Sequence, residues 1–263
     1  MTPAPESRES LHWYEAPLAS FDTETTGVDV ERDRIVSASL VLQAAPGAPA
    51  ETLTWLADPG VPIPPSASAV HGISDAHARA YGRPPRTVVA EITRALAEQA
   101  RAGVPVVVMN APYDLTLLDR ELRRHRESSL AELLGGAELL VLDPWVLDKH
   151  VDRYRKGRRT LTDLCAHYGV ELTGAHDATA DATAALELTR TLGARHPERL
   201  GRLTPTELQL RQTVWHAAQA RGLQNWLVRS GTPERVDFGW PLRPARCACG
   251  QRLAASHRCE AAA

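Results

Sequence analysis

Phe21-Asp22-Thr23-Glu24-Thr25-Thr26-Gly27 (residues 21–27) is the stretch of this chain that decides the fold. It follows the apolar pair Leu18-Ala19 and ends in a glycine, which predicts the end of a strand running into a turn. Side chains alternate between the faces of a strand, so Asp22 and Glu24 point the same way. Neighbouring carboxylates repel each other, and burial disfavours their charged forms further. A hard divalent cation such as Mg²⁺ or Mn²⁺ relieves both effects, because these ions take oxygen ligands.

Three further side chains complete an acidic constellation. Asp114 lies in the first turn of a helix that follows the apolar run at residues 104–109, and α/β proteins place their sites at such carboxyl ends of strands. Asp181 heads the apolar stripe of another predicted helix and therefore faces the core. His176 reaches the same site when it lies on the loop before that helix, and Gly174 favours such a loop.

The rest of the chain has the pattern of an α/β domain with a mixed sheet. Apolar runs at 35–42 and 52–56 predict two strands in an antiparallel meander with the strand that ends near Asp22. Buried strands predicted at 104–109 and 139–142 alternate with helices. We expect Asn110 to cap the helix that carries Asp114, and Asp143 to cap the next one. Helices are predicted at residues 74–80, 86–101, 144–154, 161–168 and 177–192, with two more within 204–230.

Composition limits the class of protein. The chain has 263 residues, a hydrophobic fraction of 43%, a charged fraction of 24% and a formal net charge of −2, all ordinary for a globular protein. Two basic clusters, at residues 120–126 and 153–159, flank the acidic site in sequence and suit a phosphate backbone. No apolar run approaches the ~20 residues of a membrane span, and the polar N-terminus does not resemble a signal peptide. With four cysteines in a chain of this length, we expect no disulfide scaffold and a cytoplasmic protein.

Three segments in a fixed order carry a family resemblance: FDTETTG at residues 21–27, NAPYDLTLL at 110–118 and HDATADA at 176–182. They resemble the three exonuclease motifs of the DnaQ-like DEDDh 3′–5′ exonucleases, a family that includes the proofreading subunit of bacterial DNA polymerase III. The resemblance extends over about residues 18–192. It implies a ribonuclease H-like mixed β-sheet flanked by helices, to which this chain adds a C-terminal helical extension.

The resemblance also implies roles for individual residues. Asp22, Glu24, Asp114 and Asp181 would be the metal-binding acids, and His176 the general base. Two divalent ions, Mg²⁺ or Mn²⁺, would activate water and stabilise the leaving 3′ oxygen. The candidate substrate-binding residues, which would contact the terminal nucleotide, are Thr25, Thr26, Gly27 and Asn110.

We divide the chain into four parts on this basis. They are a disordered lead at residues 1–15, the DEDDh exonuclease domain at 16–196, a helical extension at 197–240 and a flexible tail at 241–263. The tail contains the residue types of a Cys₃His zinc site, so zinc binding is one alternative. Its Cys-x-Cys spacing is tighter than is usual for zinc ligands, and we therefore favour a tail without metal. The possible zinc ligands are Cys247, Cys249, His257 and Cys259.

Three functions remain open. We favour a 3′–5′ exonuclease that releases nucleoside 5′-monophosphates from single-stranded DNA, in proofreading or repair. The alternatives are an exoribonuclease with the same chemistry, or a non-catalytic subunit associated with a DNA polymerase or with nucleic acid. For the two enzymes the partner would be a nucleic-acid 3′ end, with DNA favoured over RNA. For the non-catalytic subunit it would be a DNA polymerase or nucleic acid, and no membrane is expected.

Overall fold

A mixed five-stranded sheet forms the centre of the molecule. The structure, a computed structural model, describes residues 12–245. The strands are β1 (Leu18–Thr25), β2 (Ile35–Gln43), β3 (Ala50–Leu56), β4 (Val106–Val107) and β5 (Val141–Leu142). In space their order is β3-β2-β1-β4-β5. The first three strands form the predicted antiparallel meander, and β4 and β5 run parallel to β1, so the expected mixed sheet is confirmed.

Helices pack on both faces of this sheet. They are α1 (Pro65–His71), α2 (Asp75–Tyr81), α3 (Pro85–Ala102), α4 (Ala111–Arg126), α5 (Leu130–Leu133), α6 (Pro144–Val151), α7 (Leu161–Tyr168), α8 (Ala178–Arg195) and α9 (Pro205–Arg229). Helix α7 has the predicted bounds. The two helices expected within 204–230 are one helix, because its buried face runs past Gly222 from Leu208 to Leu227. Burial of that face outweighs the ~1 kcal/mol cost of an interior glycine. None of these helices has the length and apolarity to cross a bilayer.

Alternation along β1 sorts its side chains between two hydrophobic cores. Ala19 and Phe21 lie in the core beneath α3 and α4, and Leu18 lies in the core beneath α8. Asp22 is four residues beyond Leu18 and therefore projects on the α8 side. The strand thus sends its acids towards the helix that carries Asp181.

Helix α9 covers the edge of the sheet at β5. The Gln209 side chain accepts the backbone N–H of Val141 at 2.8 Å and donates to the carbonyl of Leu139 at 3.1 Å. Gln212 accepts the N–H of Asp143 at 2.7 Å and donates to the carbonyl of Val141 at 2.9 Å. An uncovered edge strand would leave these groups unpaired. The C-terminal extension therefore completes the sheet.

Both ends of the described chain pack more tightly than expected. Trp13 lies in the segment predicted to be a disordered lead, yet its side chain is buried in the α8 core and its indole N–H donates to the Leu200 carbonyl at 3.0 Å. In the predicted tail, the backbone N–H of Arg243 donates to the Thr116 hydroxyl at 2.9 Å. A buried tryptophan and a specific backbone contact fix these residues. Residues 1–11 and the zinc candidates at 247–259 lie outside the described residues.

Trp13→Ala tests whether this residue is an anchor. Removing a buried tryptophan leaves a cavity, so we expect the free energy of unfolding to fall by about 3 kcal/mol. The exposed neighbour His12 provides the matched control, and His12→Ala should change that value by less than about 0.5 kcal/mol. Urea unfolding followed by circular dichroism measures both. Equal stabilities of the two variants would contradict the anchor.

Candidate active site

Three predicted acids meet at the carboxyl end of β1. Asp22 and Glu24 project from the strand, and the first turn of α8 brings Asp181 to them. One carboxylate oxygen from each residue lies within 4.8 Å of the other two. Because β1 pairs with β2 on one side and β4 on the other, these side chains stand on the middle strand of the sheet.

Asp114 lies beside this group without joining it at that distance. It occupies the first turn of α4, is 4% exposed, and accepts the Thr23 hydroxyl at 2.6 Å. Its charge is nevertheless the largest Coulombic influence on Asp22. Sequence reasoning did not single out Thr23. The sequence feature that could have identified it is its position between Asp22 and Glu24, with its side chain on the opposite face of the strand.

The loop before α8 places His176 next to Asp181. His176 is exposed and has a left-handed backbone with φ of 69°. Its backbone N–H donates to one Asp181 carboxylate oxygen at 3.3 Å. The other oxygen of that carboxylate is buried and has no hydrogen-bond partner among residues 12–245. The helix begins after His176 because the Asp177 side chain caps it, accepting the N–H groups of Thr179 and Ala180.

The environment of the acids disfavours their negative charge. Burial raises the pKa of Glu24 to about 8, with repulsion from Asp181 adding to the effect. Burial also raises the pKa of Asp114 to about 7, although the Thr23 hydrogen bond opposes this shift. The pKa of Asp22 is raised well above its ordinary value by burial and then by Asp114. Crowded carboxylates with an unpartnered oxygen on Asp181 are the donor set that hard divalent cations accept, so the residues fit such a metal.

The segment after Glu24 forms a small hydroxyl cluster. The hydroxyl oxygens of Thr25 and Tyr113 lie 2.6 Å apart, and both are within donor distance of the Gly27 carbonyl, at 2.8 and 2.5 Å. Tyr113 was not among the predicted residues, although it directly precedes Asp114 in sequence. Burial raises its pKa to about 12, so this phenol stays protonated as a hydrogen-bond donor.

Thr26, by contrast, faces away from this cluster. It is 4% exposed, and its hydroxyl donates to Asp33 at 2.8 Å and accepts the N–H of Arg34 at 3.0 Å. A Cβ atom on Gly27 would come within 2.6 Å of the Asp33 carboxylate. Glycine at this position therefore allows the loop to close. Of the candidate substrate-binding residues at 25–27, Thr25 and Gly27 belong to the hydroxyl cluster, whereas the Thr26 side chain is bonded within the loop.

Asp143 takes the role that we expected of Asn110. Asn110 is exposed, has a left-handed φ of 59° and makes no capping hydrogen bond with its side chain. Instead, the buried Asp143 carboxylate accepts the backbone N–H groups of Asn110 and Ala111, each at 3.0 Å. It also caps α6 as predicted, accepting the N–H of Trp145 at 3.0 Å. Because the Asp143 carboxylate already accepts these N–H groups, the Asn110 side chain is not needed as a cap and faces solvent.

Most of the predicted phosphate-binding cations are paired with acids. Arg155 and Arg159 both turn inward to Asp148, which is fully buried. Arg120 is 7% exposed and bonds to the buried Asp119 and to Glu31. The expectation that these three arginines contact phosphate is therefore wrong: buried acids need cationic partners, and the sequence does not show where those acids lie. Exposed cations of the two clusters are Arg123, Arg126, Arg153, Lys156 and Arg158.

A cleft of about 990 Å³ opens at the start of α4, the helix whose first turn carries Asp114. It is bounded by the loop after Gly27, by Asn110 and Trp145, and by α9 with the segment at residues 234–244. The C-terminal extension therefore forms one wall of this cleft.

Comparison with known proteins places this geometry in a family. A model of the exonuclease family RNase_T matches residues 20–189. DNA polymerase III subunit epsilon of Treponema pallidum (strain Nichols) is 29% identical over 187 residues, covering 70% of this chain and 80% of that protein. An epsilon-like protein of Rhodobacter capsulatus is 36% identical over 103 residues, covering 38% of this chain and 14% of that protein.

Solved structures of exonuclease I share the fold. The E. coli enzyme in complex with a dA16 oligonucleotide has a TM-score of 0.59 at 18% identity, covering 77% of this chain and 44% of that one. Exonuclease I from Methylocaldum szegediense has a TM-score of 0.57 at 21% identity, covering 70% and 41%. This chain spans less than half the length of those proteins. The likeness confirms the predicted ribonuclease H-like sheet flanked by helices.

Glu24→Gln tests the charge strain at the site. The raised pKa values of Glu24 and Asp114 mean that the folded state holds more protons than the unfolded state between about pH 4 and pH 8. The free energy of unfolding of the metal-free protein should therefore fall as pH rises through this window. Glu24→Gln should raise it at pH 8 by ~1–3 kcal/mol and flatten the slope.

Thermal unfolding in EDTA across pH 5–8 measures this effect. Each kcal/mol of added stability should raise Tm by roughly 2–4 °C. The exposed Glu51 supplies the control, since Glu51→Gln should leave the slope as it is in the parent protein. A Glu24→Gln variant with the parent slope would contradict the proposed strain.

Proposed function

Because this chain belongs to the DnaQ-like 3′–5′ exonuclease family, we propose that it removes nucleotides from the 3′ end of single-stranded DNA and releases nucleoside 5′-monophosphates. The observation that carries the proposal is the meeting of Asp22, Glu24 and Asp181, with oxygens within 4.8 Å of one another, at the carboxyl end of β1. Asp114 and His176 lie beside them. An acidic cluster of this kind suits a metal-assisted phosphodiesterase.

The acids divide into two roles in this proposal. Asp22, Glu24 and Asp181 would hold one divalent ion, and Asp114 together with Asp22 would hold the second. Bound Mg²⁺ or Mn²⁺ supplies an activated water and stabilises the negative charge on the departing 3′ oxygen. Thr23 keeps one Asp114 oxygen in place through its 2.6 Å hydrogen bond, so that carboxylate is oriented before substrate arrives.

His176 is the proposed proton acceptor. The water oxygen bonds to phosphorus, the bond from phosphorus to the 3′ oxygen breaks, and the water proton passes to the imidazole. A histidine suits this step because it changes protonation state near neutral pH. The exposed position of the His176 side chain gives it access to substrate, and its backbone hydrogen bond to Asp181 keeps it near the acids.

The substrate class rests on the relatives and on the site together. We place the 3′-terminal nucleotide against Thr25, Gly27 and Tyr113, whose hydroxyl cluster borders the acids. The relationship to a DNA polymerase III epsilon subunit supports DNA over RNA and supports proofreading in association with a polymerase. An exoribonuclease activity is the competing possibility.

Asp181→Asn tests the enzyme assignment. Loss of one metal-binding carboxylate should slow cleavage by at least ~100-fold, because the metal ions contribute several kcal/mol to stabilising the transition state. Oligonucleotide binding should persist. The assay uses 5′-labelled DNA and RNA 12-mers with Mn²⁺, then with EDTA, and follows shortening from the 3′ end.

Glu138→Gln provides the matched control for this variant, because Glu138 is an exposed acid before β5, at the other end of the sheet. It should cleave like the parent. Cleavage of neither substrate by the parent protein would rule out the enzyme assignment in favour of a binding subunit. Faster cleavage of RNA than of DNA would select the exoribonuclease.

His176→Ala tests the proton acceptor separately. Removal of a general base lowers the rate by ~10²–10⁴-fold, so kcat should fall in that range while KM changes little. Asp177 is unsuitable as a control because it caps α8; Thr173→Ala, in the exposed loop before it, should behave like the parent. A parental kcat for His176→Ala would remove His176 from the mechanism.

A further inference from the structure

A second cavity, of about 400 Å³, lies between α6 and α9. Helix α9 lies outside the residues that the exonuclease family model matches. We call it the α6–α9 groove. The residues that matter for its chemistry are Lys149, His150, Arg153, Tyr154, Trp215 and Leu223. None of the described residues that line the groove is acidic.

The groove is electropositive. Lys149 and Arg153 line it, and Arg153 is exposed. Outside the groove, Arg199 and Arg211 are the charged groups that act on His150; Arg159, which acts on Lys149, is already paired with Asp148 and does not count among the groove's cations. These cations accumulate on one face although the whole chain carries a net charge of −2. A surface of this kind attracts a chain of phosphates.

Aromatic rings are placed among these cations. The rings of His150 and Trp215 stack with centroids 3.6 Å apart and an angle of 11°. The Tyr154 side chain is 85% exposed, and the Arg153 guanidinium lies 5.5 Å from the centre of its ring. A large exposed aromatic ring beside an arginine offers a stacking surface to a nucleobase.

The groove adjoins the larger cleft at the start of α4. Leu223 lines both cavities, and the larger one also contains Trp145 and Asn110. Lys149 lies above the Trp145 ring, with its Nζ atom 4.3 Å from the ring centre. The two cavities therefore share a wall at Leu223, and the aromatic and cationic side chains that line them in succession are Trp145, Lys149, Arg153 and Tyr154.

From this arrangement we infer that the α6–α9 groove binds the single-stranded nucleic acid on the 5′ side of the nucleotide being removed. The inference rests on the proposed function for the direction of the strand. Phosphates would lie along Lys149 and Arg153, and a base would stack on Tyr154. Short substrates would reach only the acidic site, whereas longer ones would also occupy the groove.

Fluorescence anisotropy with 5′-fluorescein dT12 and dT3 in EDTA tests this inference without requiring catalysis. The parent protein should bind dT12 at least tenfold more tightly than dT3. Arg153→Glu and Tyr154→Ala, both at exposed positions, should each weaken dT12 binding fivefold or more. Arg153→Glu should also lower the slope of log affinity against log salt by about 0.7. Arg101→Glu, at the exposed end of α3, is the charge-matched control and should bind like the parent.

Cleavage of dT12 with Mn²⁺, measured in parallel, separates the two proposals. If the groove variants weaken dT12 binding and the parent does not cleave dT12, the groove stands and the proposed function fails. If the parent cleaves dT12 and both groove variants bind it like Arg101→Glu, the groove assignment is overturned and the proposed function stands. Equal affinity of the parent for dT12 and dT3 also overturns the groove.

Discussion

The buried carboxylate of Asp143 is the interaction on which the site depends. It accepts the backbone N–H groups of Asn110, Ala111 and Trp145, and the indole N–H of Trp240 at 3.3 Å. These donors come from the start of α4, the start of α6 and the C-terminal segment, so one side chain joins three parts of the chain. Burial raises its pKa to about 6 even with four donors. The direction of α4, and with it the position of the acid in its first turn, follows from this junction.

The hydrogen bonds of Asp143 hold the fold together, whereas the crowded acids at the end of β1 destabilise it. Each is held where burial and neighbouring charge raise its pKa, which lowers the stability of the metal-free protein at neutral pH. Asp22 and Glu24 nonetheless stay close, because their strand is hydrogen-bonded on both sides and packed between two cores. The strain is thus imposed by rigid surroundings, and binding of divalent cations would relieve it.

Local patterns were enough to predict the parts of the fold that depend on local periodicity. The meander and the bounds of α7 follow from apolar spacing and turn residues, and the motifs indicated which acids come together. Contacts between distant segments were not predictable in this way. Asn110 is a residue type that often caps helices, but the backbone N–H groups of Asn110 and Ala111 bond instead to the carboxylate of Asp143, which lies 33 and 32 positions further along the chain. Arg155 and Arg159 belong to an apparently basic loop and yet neutralise the buried Asp148.

The C-terminal extension shows how a structural requirement can position a surface. Gln209 and Gln212 occupy the free hydrogen-bonding groups of the edge strand β5, and Trp240 supplies a donor to Asp143. Removing the extension would uncover that edge and leave a buried carboxylate with one donor fewer. Helix α9 is therefore held in one orientation for reasons of stability. A helix fixed on its inner side presents a fixed outer side, and this is why the α6–α9 groove has a defined position next to the larger cleft, with which it shares Leu223.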